Sequence, residues 1–305
     1  MSSPNHSCTL VATSVGGWGG FREFKCRGLV AWLAPIWFAV AVVEAQPYDL
    51  LLKGGHVIDA KNAIDAPRDV AIAGGKIAAV APHIAADQAS TVIDATGLYV
   101  VPGFIDLHAH VFTGTEPVHS VGGGSNSVWP DAFMPRTGVT TAVDAGGSGW
   151  RNFEAFKRHV IDRSRTRVLA FLNIVGHGMS RSEQNAEDMD PRVTADFIRR
   201  NRADIVGIKT AHWRAPTWLA VDRALEAGRL ADVPIMVDFG TFFPHRPFEE
   251  LVGRRLRPGD IYTHLYLPSV PMLDERGRLR PYLLEAQKRE ADLSQKNQEL
   301  VRSFK

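Results

Sequence analysis

The chain has 305 residues, of which 45% are apolar and 22% charged, with 18 prolines, 27 glycines and a formal net charge of +2. That is ordinary globular composition, long enough for one or two domains with a sizeable core. With no basic excess and no aromatic residues interleaved among basic ones, it argues against a nucleic-acid partner.

At the N-terminus, Arg22, Lys25 and Arg27 precede "GLVAWLAPIWFAVAVV" (28–43), which holds no charge. A basic patch, an apolar run and a small-residue end match the pattern of a secretory signal peptide. The run is short for a membrane span, which needs about 20 residues. Residues 1–46 are therefore expected to be an export segment, placing the mature protein in the periplasm or outside the cell. Membrane contact would arise only if the segment stayed uncleaved. Cys8 and Cys26 would leave with it, so the mature chain would hold neither disulfides nor thiolate ligands.

Residues 47–100 read as short strands broken by turns. "YDLLLKGGHVID" suggests two pieces around Gly54 and Gly55, "DVAIAGGKIAAVAP" two more around Gly74 and Gly75, and "STVIDATGLYVVPG" closes the series. Paired glycines between apolar runs tolerate the positive φ of hairpin turns. The prediction is a small β layer, a partial β-sandwich.

From residue 101 the pattern becomes strands alternating with amphipathic helices. Strands are predicted at 98–108, 140–146, 167–175, 204–210, 233–240 and 260–266. Helices are predicted at 151–164, at 190–202 behind the N-cap Asp190 and Pro191, and at 216–228 ending on Gly228. Near-continuous apolar strands joined by helices imply an α/β class with a parallel, TIM-barrel-like sheet, incomplete at about six of eight units. In such barrels chemistry sits at the carboxyl ends of the strands. His108, His110, Asp144, His177, Lys209, Asp238 and His264 all fall there.

Residues 102–110 read "PGFIDLHAH". Side chains alternate faces along a strand, so His108 and His110 point the same way and Asp106 shares their parity. Two imidazoles aimed at one spot suit a borderline-soft divalent ion such as zinc. With "LLLKGGHVID", "DVAIAGGKIAAV" and "TGLYVVPGFIDLHAH" in succession, the chain from about residue 47 to about 289 resembles the amidohydrolase superfamily, in its dihydroorotase-like and deacetylase-like branch.

The resemblance implies two divalent metal ions, usually zinc, in a distorted barrel. His108 and His110 would bind the more buried ion. Lys209, in "VGIKTAHW", would be carboxylated by CO₂ and bridge both ions; read alone, it is equally a snorkelling or ion-paired lysine. His264, in "IYTHLY", would bind the second ion. Strand five departs from the pattern, offering Asp238 in "IMVDFG" where family members have histidine, with His245 as a more distant substitute. Asp106 would orient a ligand imidazole or bond to backbone. His177, His212 and Asp144 would touch substrate or be satisfied within their loops. The glycine-rich stretch 121–127 is an anion cradle or a connector.

In the family, a hydroxide held between the metals attacks an amide or ester carbonyl, and an aspartate from strand eight relays the proton. No such aspartate is found after His264. Six strand candidates leave two unpaired edges, and 291–305 has only a sparse apolar stripe, so the chain reads as truncated and open to homo-oligomerisation. Two functions are therefore in play. One is metal-dependent hydrolysis of a C–N bond in a small amide, cyclic amide or N-acyl compound. The other is a catalytically inactive remnant that binds metal or partners.

Overall fold

The computed structural model describes residues 46–112, 127–179, 181–238 and 242–303. The expected export segment, its two cysteines and positions 121–126 lie outside the described residues. Among those described, no helix is long and apolar enough to cross a membrane.

The first sheet contains β1 (Tyr48–Asp59), β2 (Ile64–Ala73), β3 (Lys76–Ala81), β4 (Ala89–Asp94) and β5 (Tyr99–Val100), in the order β3-β2-β1-β4 with β5 also on β1. Gly74 and Gly75 make the expected hairpin, with φ of 57° and 71°. Gly54 and Gly55 do not. They lie inside one continuous strand, where the pairing with β2 slips between Leu52 and Gly55. This bulge falls where β1 passes from pairing with β4 to pairing with β5. A Cβ on Gly55 would stand 2.6 Å from Val100 Cγ2, so the handover needs a bare backbone.

Leu51, Ala71, Ile84 and Ala89 form this sheet's small core. Beside it, the buried Asp69 accepts hydrogen bonds from Gly54 N at 2.7 Å, Ile84 N at 2.9 Å and Lys53 Nζ at 3.1 Å. Burial opposes its charge, but these donors outweigh that and hold its carboxyl below the ordinary value.

The second sheet has six strands in the order β11-β10-β9-β8-β7-β6. They are β6 (Phe104–Ala109), β7 (Val139–Ala145), β8 (Arg167–Asn173), β9 (Ile205–Ala211), β10 (Ile235–Asp238) and β11 (Ile261–Tyr262), all parallel to their neighbours. Neighbours in sequence are neighbours in the sheet, the arrangement of a TIM-barrel-like half-barrel. The helices are α1 (Pro130–Phe133), α2 (Phe153–His159), α3 (Pro191–Arg200), α4 (Leu219–Ala231), α5 (Phe248–Glu250) and α6 (Pro281–Ser303).

Alternation along the strands separates two apolar sets. Ala142, Leu172, Ile208, Ile235 and Val237 join the large cluster that includes Ala220, Val221 and Ala224 of α4. Val143, Ala145, Phe171 and Met236 form a smaller cluster on the opposite face. Lys209 and Asp238 share the parity of this second set.

At α3, Asp190 caps as expected, accepting from Arg192 N and Val193 N. At α4, the expected stop at Gly228 is overrun. The helix continues to Ala231 and ends on Asp232 at φ 53°. Gly228 is there for packing, since a Cβ would meet Val233 O at 3.0 Å and Ile235 Cγ2 at 3.1 Å. Strand β10 starts at Ile235 rather than 233, and β11 is shorter than predicted, so His264 lies past β11 rather than within a strand.

Asp69→Ala should strand the buried Ile84 amide, free the half-buried Gly54 amide and Lys53 ammonium, and lower stability by about 2 kcal/mol. Urea denaturation followed by circular dichroism measures it.

Candidate metal centre

The pairing of β6 with β7 shifts register twice, between Phe104 and Ile105 and again between Asp106↔Ala142 and Ala109↔Asp144. The second shift precedes the motif's second histidine, and the rings of His108 and His110 come to rest 5.3 Å apart at 76°. Asp106 does not orient an imidazole: its Oδ1 accepts the His108 backbone amide at 3.0 Å and shapes the strand end. Asp144 holds the same end from beneath. Its Oδ2 accepts from Val111 N and Phe112 N, its Oδ1 from Gly147 N at 2.6 Å. Complete burial raises its carboxyl to about 6, against the pull of those amides and of Lys209. Asp144 is therefore a clamp on loop backbone.

Lys209, on β9, is 0% exposed. Its Nζ donates to His108 Nε2 at 3.2 Å and lies 3.6 Å from Met236 Sδ and 3.7 Å from Asp238 Oδ2. Burial pushes the lysine's pKa down, a shift opposed by Asp238, Glu183 and Asp144. Burial likewise lowers His108 and His110 to about 4, with the lysine's charge as the next cause. Both imidazoles are therefore neutral at pH 7, with lone pairs to offer.

Asp238 is 4% exposed at the end of β10, and its Oδ2 lies 3.1 Å from His264 Nε2. His264 adopts φ 59°, which turns its ring to within 5.0 Å of the His108 ring. His108, Asp238 and His264 each offer a ligand atom within 4.8 Å of the others. Five residues expected to bind metal thus meet at one rim: these three, Lys209 on His108 and Asp238, and His110 against His108.

The other expected residues divide. His245 stacks on Phe243 at 5.8 Å in an exposed loop and stays outside the cluster. His177 has an exposed side chain, and its backbone amide donates to Asp188 Oδ2. His212 does reach the rim, its Nδ1 3.0 Å from Glu183 Oε2 and its Nε2 3.8 Å from Asp238 Oδ2. Glu183 escaped the sequence reading: nothing in "SRSEQN" marks it, and it meets His212 only through the fold.

No family model matches the chain. A deacetylase of Agrobacterium fabrum is 33% identical over 216 residues, covering 68% of this chain and 50% of the relative. A solved adenine deaminase superposes with TM-score 0.65 at 25% identity, over 79% of this chain and 64% of that one. A solved dihydroorotase gives TM-score 0.60 at 27% identity, over 79% and 62%. The chain belongs to the amidohydrolase superfamily. It spans about half the length of the first curated relatives it matches. Within this amidohydrolase frame, the conjunction of the "HAH" pair with a buried strand lysine 3.2 Å away is the feature shared between motif and geometry.

Asp144→Ala should leave three buried amides without an acceptor and cost at least about 3 kcal/mol, read from the urea midpoint. A second expectation concerns pH in metal-stripped protein. Unfolded His108 and His110 take up protons near the ordinary imidazole value of 6.5, the folded ones only near 4. The unfolded chain then binds more protons between these values, so their contribution destabilises as pH falls from 6.5 to 4. Urea midpoints in chelator should drop more steeply across that window for the wild type than for the His108→Asn/His110→Asn variant; parallel curves would contradict it.

Proposed function

We propose that this chain forms the metal-binding face of a hydrolase that cleaves a C–N bond in a small amide, cyclic amide or N-acyl compound. The single observation that carries this reading is the buried Lys209 amine, 3.2 Å from His108 and 3.7 Å from Asp238. A deacetylase and a dihydroorotase among the similar proteins support it.

The residues present fit divalent cations. Two imidazoles are held neutral, a third and a carboxylate stand beside them, and His110 Nδ1 is buried without a partner among the described residues. This nitrogen and oxygen donor set suits zinc. His108 and His110 would hold one ion, Asp238 and His264 the other, with Lys209 between them. As an ammonium Lys209 would repel both. Burial that lowers its pKa favours the free amine, and the amine can attack CO₂ to form a C–N bond with loss of one proton. The resulting carbamate is an anion with two donor oxygens. When bound, the ions supply Lewis acidity and a water acidified towards a pKa of about 7.

The chain's own groups prepare this chemistry. Asp144 fixes the backbone after His110, Met236 lies against the lysine amine, and Asp106 sets the strand end. We further read residues 1–46 as an export segment, the β1–β5 sheet as one layer of a sandwich over 47–100, and residues 101–305 as barrel.

Elemental analysis of purified chain should find two divalent ions, with hydrolysis of some members of an N-acetyl amino acid and cyclic amide panel that stops in chelator and returns with zinc. Lys209→Ala should lose at least one ion and reduce turnover by more than about 100-fold. A wild-type chain with neither metal nor turnover would falsify the proposal.

A further inference from the structure

Asp238 stands where the resemblance leads one to expect an imidazole, and the structure places an imidazole beside it from another strand. His212 follows β9 directly, in left-handed backbone at φ 52°. Its amide donates to the Asp238 carbonyl at 2.9 Å, tying the ends of β9 and β10 together. Its Nε2 lies 3.8 Å from Asp238 Oδ2, the oxygen that His264 Nε2 approaches at 3.1 Å. His212 Nδ1 is 3.0 Å from Glu183 Oε2.

We propose that His212 is a ligand of the second metal ion, joining Asp238 and His264 through Nε2, with Glu183 fixing the ring through Nδ1. This inference rests on the metal-dependent reading above. Donors about 2.0–2.1 Å from a tetrahedral ion stand about 3.3 Å from one another. The spacings of 3.1 Å and 3.8 Å around Asp238 Oδ2 bracket that value. A metal-bound histidine almost always donates its other ring N–H to a carboxylate or carbonyl, which fixes its tautomer. Glu183 supplies that carboxylate.

The placement is built rather than incidental. Glu183 is 7% exposed, and its Oε1 has no partner among the described residues. Its neighbour Gln184 clamps the backbone around His212, donating to His212 O at 2.7 Å and accepting from Arg214 N at 2.9 Å. One loop thus fixes both the ring and its carboxylate. Glu183 takes Nδ1 and leaves Nε2 facing the oxygen that His264 also approaches.

The test is zinc titration of the full chain against a chromophoric chelator, with visible spectra of the cobalt-loaded protein. His212→Asn removes the imidazole while keeping a residue that tolerates left-handed backbone. It should weaken the looser of two ions by more than the roughly 10- to 100-fold cost of an outer partner, and shift the cobalt bands. Glu183→Gln should weaken the same ion within that 10- to 100-fold range, and His245→Asn should match the wild type. A folded His212→Asn protein with wild-type affinity and spectrum overturns this inference alone. A wild-type chain that binds no zinc overturns it together with the hydrolase reading. Should His212→Asn fail to fold, Glu183→Gln decides: unchanged affinity refutes the role, weakened affinity supports it.

Discussion

An amine with no access to water sits against the inner face of the curled sheet, 3.2 Å from an imidazole and 3.7 Å from a carboxylate. Burying an ammonium there is costly, and a lone aspartate at that distance compensates it only in part. The rest of the site follows from this. Burial and, after it, the lysine's charge lower the pKa of His108 and His110, and burial pushes the lysine's own pKa down.

Rigid placement comes from backbone rather than from side-chain packing. Strands β9 and β10 carry Lys209 and Asp238 towards their carboxyl ends, and His264 follows β11. Asp144 joins the segment after β6 to the turn after β7 through three buried amides. Gly147 sits where a Cβ would lie 1.9 Å from Phe112 O, so the two segments touch main chain to main chain. His212 and His264 both occupy left-handed backbone, which few non-glycine residues adopt without a surrounding constraint. Both rings turn towards Asp238 Oδ2.

Asp238 Oδ2 is approached by Lys209, His212 and His264, so a single oxygen organises three nitrogen groups. In the proposed cation site Asp238 would offer oxygen, a harder donor than imidazole.

Periodicity determined the parallel sheet, because apolar runs buried on both faces leave few alternatives, and parity put His108 and His110 on one side of it. The spacing of "HAH", the lone lysine in "VGIKT" and the aspartate in "IMVDF" likewise marked strand ends from sequence. Tertiary structure decided what local pattern could not. Gly54 and Gly55 became a bulge because β1 changes partner there, and Gly228 stayed inside a helix because Val233 and Ile235 press against it. Asp106 and Asp144 turned to backbone amides, and His212 found Glu183 across 29 residues. Those outcomes depend on which segments meet, and a residue's own neighbours in the chain do not encode the distance to a partner on another loop.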